Sequence, residues 1–179
     1  MIEFLIRRFV PDWQQVQRTD VRERYGTLAA AVGILSNIFL CIIKGLIGLF
    51  SGSIAVTADA VNNLSDAGSS VITLLAFKIA GKPADEEHPY GHARMEYISG
   101  MAVSFIIILL GLELMGSSFE KILHPEEVGV SALTYLVLIV SIAVKLWQGM
   151  FNRNLGKRIS SEALQATAAD SLNDVFSTG

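Results

Sequence analysis

The stretch from Ser53 to Ala80 limits the architecture most. It is apolar enough to cross a bilayer, yet it carries Asp59, Asn62, Asn63 and Asp66 near its middle. On a helix, at ~100° per residue, Asp59, Asn62 and Asp66 share one face. A polar stripe of this kind is costly in hydrocarbon and marks a pathway or a site. One other stretch matches it, Asp170-Ser171-Leu172-Asn173-Asp174, again with carboxylates at i and i+4. Two such helices packed side by side present four oxygen-bearing side chains to one point: Asn62, Asp66, Asp170 and Asp174.

Composition agrees with a membrane protein. The chain is 51% hydrophobic and 17% charged, whereas soluble domains carry about a quarter charged residues. No basic block with interleaved aromatics occurs, so a nucleic-acid partner is not expected. Cys41 is the single cysteine and reads as a small buried hydrophobe. No signal peptide is expected, because Arg7 and Arg8 follow an apolar start rather than precede one. Residues Met1 to Val10 read either as a short amphipathic surface piece or as a disordered tail.

Five segments are long and apolar enough to span ~30 Å at ~1.5 Å per residue. They run over about Tyr25–Phe50, Ser53–Ala80, Glu96–Ser118, Val130–Gln148, and from Ser161 onward. All are expected to be helices, since open sheet edges are not viable in lipid. The fold class is therefore an all-α polytopic bundle, with residues 1–24 as a tail and 25–179 as a transmembrane domain. The tail holds Arg7, Arg8, Arg18, Arg22 and Arg24; the 81–95 connector holds Lys82 and Arg94; the 152–159 connector holds Arg153, Lys157 and Arg158. The positive-inside rule places these three in the cytoplasm of a cell-membrane protein. Ser51-Gly52 and the acidic connector Phe119–Gly129 then face outward. Gly48 and Gly52 form a small-xxx-small pair, a pattern too common to carry weight.

The paired positions suit hard or borderline divalent cations, which favour carboxylate and carboxamide oxygens. Three carboxylates held together in low dielectric cannot all stay ionised unaided. A cation or protons resolve this, which gives metal–proton exchange a physical basis. The plainer reading is helix capping or interhelical hydrogen bonding; two matched pairs in separate spans favour the ion site. In the 81–95 connector, Asp85, His88 and His92 form a second metal-like set of nitrogen and oxygen donors, of the kind zinc tolerates. Spacing alone leaves a rigid Pro/Gly turn with solvated charges equally open. Lys44, Lys145 and Glu113 lie within spans, and snorkelling or other structural roles are expected for them. His124, before Pro125, reads as a loop residue. No nucleophile–base pair or histidine-rich open zinc site is visible, so the chain is not expected to be an enzyme.

These motifs resemble the cation diffusion facilitator family of divalent-metal transporters. The resemblance covers about Arg18 to the end. It rests on Ser53-Ile54-Ala55 leading to Asp59 and Asp66, on Pro83-Ala84-Asp85 with His88-Pro89-Tyr90-Gly91-His92, and on Asp170 with Asp174. It implies a six-helix membrane domain followed by a small cytoplasmic metal-binding domain, so this sequence is expected to be part of a longer protein. It further implies a homodimer that exports metal from the cytoplasm by proton antiport. The position of Asn62 is commonly His or Asp in zinc-transporting members; the Asn-Asp/Asp-Asp set resembles the manganese-exporting branch. Asp85, His88 and His92 match a loop site seen in some members. Mn²⁺ is the expected cargo, with Zn²⁺ or Fe²⁺ as alternatives within the fold, and a non-transporting membrane metal-binding protein as the alternative outside it.

Overall fold

A computed structural model describes residues 2–123 and 132–178. The described residues form six helices: α1 (Ile2–Phe9), α2 (Thr19–Ser51), α3 (Ile54–Ala80), α4 (Met95–Leu123), α5 (Ala132–Ile159) and α6 (Glu162–Thr178). The expected acidic connector, including His124, Glu126 and Glu127, lies mostly outside the described residues.

Burial is inverted relative to a water-soluble bundle. Large apolar side chains such as Leu49, Phe50, Met101, Phe105, Ile139 and Leu136 are exposed, while Asn37, Lys44, Asn63, Asp66, Lys145 and Gln148 are buried. An apolar exterior, with polar and charged groups held inside, is what a lipid solvent selects. Among the described residues, three helices are long and apolar enough to cross a membrane by length and composition: Thr19–Ser51, Met95–Glu113 and Ala132–Ile159. This is fewer than the five segments expected. Helix α3 is 27 residues long but carries Asp59, Asp66 and Lys78; α6 is 17 residues long and mean hydropathy is diluted by Glu162, Asp170 and Asp174. The two helices that fall short are the two that hold the polar motifs.

Two tight hairpins set the frame. Helix α2 ends at Gly52, which adopts the left-handed conformation at φ 66°, and the Ser53 amide donates to the Gly48 carbonyl at 3.0 Å. Only a residue without Cβ takes that conformation at no cost. The Ser53 hydroxyl then accepts from the Val56 amide at 3.4 Å and caps α3. Gly52 thus serves the turn rather than a helix contact, whereas Gly48 lies against Thr57. At the opposite end, Ser160 (φ 51°) turns the chain, and Ser161 accepts from the Leu164 amide to cap α6. Helices α3 and α6 therefore enter the bundle from opposite ends and run antiparallel.

Helix α2 packs on α3 and α5, and α6 packs on α5 and α4. Gly26 and Gly33 allow the α2–α3 approach: a Cβ at Gly26 would lie 2.0 Å from Phe77 Cγ, and one at Gly33 2.7 Å from Ser70 Oγ. Residues 2–10 are not loose. Ile6 and Val10 are fully buried in a cluster with Tyr25, Phe77, Phe151 and Leu155, and Glu3 pairs with Arg158. Of the two readings of this segment, an amphipathic helix is the one that forms. Arg22 also leaves the role of a tail charge. Its guanidinium donates to both Glu96 oxygens at 3.1 and 2.9 Å and to the Ile159 carbonyl, so α2, α4 and α5 are tied at one end.

Candidate metal site

Asp66 and Asp174 each lie thirteen residues beyond the serine that caps their helix (53 to 66, and 161 to 174). At ~1.5 Å per residue this is about 20 Å of helix from either end. Two antiparallel helices with equal depths bring these positions to one level. One carboxylate oxygen each from Asp66, Asp170 and Asp174 lie within 4.8 Å of one another. Neighbouring ligands around an octahedral cation with ~2.1 Å bonds are about 3 Å apart, so a carboxylate rotation on the order of 1 Å closes the set. Asp66 is buried; Asp170 and Asp174 are half-buried. Asn62 is half-buried one turn before Asp66, on the same face of α3.

Lys145 completes the cluster. Its Nζ lies 2.5 Å from Asp66 Oδ2 and 2.5 Å from Asp174 Oδ2, and its side chain is 4% exposed. The sequence-based expectation of a snorkelling lysine is overturned. Snorkelling needs a helix end within reach, and Lys145 is thirteen residues after Ala132 and fourteen before Ile159. That central position was the available signal. One turn further along α5, Gln148 Oε1 accepts from the Ser36 hydroxyl at 2.7 Å, which extends the polar layer to α2.

Asp59 shares the helix face but not the cluster. Its Oδ2 lies 2.7 Å from the Nζ of Lys44 on α2, and Lys44 is buried. Asn63 donates to the Asp59 carbonyl at 2.7 Å. The polar stripe on α3 therefore divides into an ion pair with α2 and a carboxylate cluster with α6. Asn37 and Asn63 are buried with amide oxygens that have no partner among the described residues.

The connector set is assembled as well. Asp85, His88 and His92 bring one ligand atom each within 4.8 Å. Asp85 Oδ1 accepts from the His88 amide at 2.7 Å and lies 3.3 Å from His88 Nδ1, while Oδ2 lies 3.5 Å from His92 Nε2. The amide bond from His88 is the main cause that holds the Asp85 carboxyl below its ordinary range. A turn closed by the Gly91 amide on the His88 carbonyl at 2.9 Å folds the two imidazoles to a 4.5 Å ring separation. Gly91 takes φ 78°, where a side chain would be strained. Asp85 and His88 are exposed; the His92 side chain is 11% exposed and its Nδ1 has no partner among the described residues.

Comparison with known proteins gives a match to the cation efflux transmembrane domain over residues 30–179. Among curated relatives, a manganese efflux system protein of Bacillus subtilis, MneS, is 36% identical over 159 residues, covering 86% of this chain and 55% of its own. The uncharacterized transporter YdbO of the same organism is 32% identical, covering 90% of this chain and 55% of its own. The magnetosome protein MamB of Magnetospirillum gryphiswaldense is 31% identical, covering 80% and 48%. The chain spans about half the length of the curated relatives it matches. With the apolar helices, the match identifies a multi-pass membrane protein: the chain belongs to the cation efflux family.

Proposed function

We propose that this cation-efflux family member exports a divalent metal cation, Mn²⁺ by preference, from the cytoplasm in exchange for protons. The observation that carries this reading is the convergence of Asp66, Asp170 and Asp174 from two antiparallel helices onto one buried point. With Asn62 these residues form the transport site. The likeness to a manganese efflux protein supports the choice of metal. An all-oxygen set supports it further, because zinc gains most from imidazole and thiolate donors. Manganese stands low in the affinity order, so a site selects it by withholding those donors. Zinc and iron remain the competing cargoes of the same site, and a membrane metal-binding protein without transport is the competing class.

Protons return through the same carboxylates. Metal entry requires them ionised, and protonation weakens their hold on the metal. In this reading residues 1–24, the connector with Arg94 and the last turn of α5 with Arg158 face the cytoplasm, residues 25–179 are the transmembrane domain, and two copies form a homodimer. Asp85, His88 and His92 hold a second metal at the cytoplasmic surface.

The test is Mn²⁺ flux in proteoliposomes containing the intact protein, with an inward proton gradient as the driving force. Asp66→Ala and Asp170→Ala abolish flux while the protein still inserts and stays monodisperse. Flux in either variant at the wild-type level refutes the four-residue site. Mn²⁺ binding with no flux in the wild type selects the non-transporting alternative.

A further inference from the structure

We propose that Lys145 is a fixed charge of the metal site, which sets its net charge at −2 when the three carboxylates are ionised to receive metal and so matches it to a divalent rather than a trivalent cation. The inference rests on the reading of Asp66, Asp170 and Asp174 as ligands. These contribute three negative charges, Asn62 contributes none, and the ammonium of Lys145 contributes one positive charge. Its Nζ sits 2.5 Å from one oxygen each of Asp66 and Asp174. The second oxygen of each carboxylate, and both oxygens of Asp170, remain for the cation. The ammonium can therefore stay bonded from the side while metal binds.

Charge matching is decisive here because the cluster is buried. A pair of unit charges interacts about four times more strongly at an effective dielectric of 20 than in water. A divalent cation brings the three carboxylates and Lys145 to neutrality. A trivalent cation leaves +1. Without the ammonium the preference inverts: a divalent ion leaves −1 and a trivalent ion neutralises the set. Lys145 cannot relax toward water, since its helix position is central and its side chain is 4% exposed. It also ties α3 to α6 through α5, so the charge is supplied by a third helix that provides no ligand.

Titration calorimetry with Mn²⁺ and Tb³⁺ on the purified intact protein tests this, in a background carrying Asp85→Ala and His92→Ala to silence the connector. The wild type binds Mn²⁺ more tightly than Tb³⁺. Lys145→Met and Lys145→Gln shift the Mn²⁺/Tb³⁺ affinity ratio toward Tb³⁺ by about tenfold or more, and Lys145→Arg leaves it within about threefold of wild type. A parallel loss of both affinities in the neutral variants means a structural lysine and overturns the proposal. A parallel gain means an ammonium that merely competes with metal, and overturns it too. Tighter Tb³⁺ than Mn²⁺ binding in the wild type refutes charge matching without any variant. Asp170→Asn separates the two layers of the reading: if Mn²⁺ binding survives it unchanged, the site itself is wrong.

Discussion

Asp59 and Asp66 lie on one face of α3, yet the structure gives them different work, and a single substitution separates the two. Asp59→Ala removes the partner of Lys44 and touches no member of the carboxylate cluster. The Lys44 side chain is 2% exposed, so its ammonium is left desolvated and unpaired. Lys44 lies seven residues before the end of α2 (44 to 51), about 10 Å along the axis, too far for snorkelling to rescue it fully. Breaking a buried ion pair from one side costs roughly 3–5 kcal/mol. The Asp59 side chain is 30% exposed, which moves the expected loss to about 3 kcal/mol. That is about a hundredfold in the folding equilibrium. Replacing both partners by apolar residues of similar size, Lys44→Met with Asp59→Leu, removes the unpaired charge and returns stability to within about 1 kcal/mol of wild type. The assay is reversible unfolding of the purified protein in mixed micelles, followed by circular dichroism, with Mn²⁺ binding measured in parallel. Asp59→Ala lowers stability, and the double variant recovers both stability and Mn²⁺ binding. A double variant that is stable but binds no Mn²⁺ refutes the division of the stripe and makes Asp59 part of the metal path. An Asp59→Ala protein as stable as wild type refutes the burial argument itself.

Three further outcomes are expected. Asn62→His adds an imidazole to an all-oxygen set, so the Zn²⁺/Mn²⁺ flux ratio measured with both radioisotopes in the same vesicles rises; an unchanged ratio removes Asn62 as a selectivity determinant. Gly26→Ala drives a Cβ to 2.0 Å from the ring of the buried Phe77 and destabilises the α2–α3 hairpin by about 2 kcal/mol or more, while Phe77→Leu in the same protein relieves part of the loss; equal unfolding midpoints for Gly26→Ala and wild type refute the close approach. A cysteine at the exposed Tyr90 is protected from an impermeant thiol reagent added to intact cells and one at the exposed Ser51 is labelled, in a Cys41→Ala background; the reverse pattern inverts the orientation.

What the sequence made legible follows from how each residue acts. Asp66, Asp170 and Asp174, which the structure brings together, stand out along the chain because charged side chains one or more turns apart inside an apolar run are costly in lipid. The turn from α2 to α3 was legible as a short connector at Ser51-Gly52, while the left-handed cap at Gly52 and the N-cap at Ser53 emerge only in the structure. Residues that act across helices left weaker traces. Arg22 reads as one of several tail arginines until Glu96 and the Ile159 carbonyl are placed beside it. The docking of α1 rests on Ile6 and on Val10 just past its end, and an eight-residue helix is too short for periodicity to distinguish a docked element from a frayed one. Lys44 and Lys145 look alike along the chain, each a cation in the middle of an apolar run, but their partners differ in reach. Lys44 meets Asp59 on the helix that follows its own by a two-residue turn, so that pairing needs only local geometry. Lys145 meets Asp174 by the same local geometry, across the two-residue turn from α5 to α6, but it meets Asp66 from 79 positions away, which no spacing rule along α5 can reveal. Its depth could have been read, since a lysine equidistant from both ends of a 28-residue helix has no route to water. An intramembrane cation at that depth demands anions, and Asp66 and Asp174 supply them. Charge bookkeeping across whole spans, rather than spacing within one, is what joins α5 to the site.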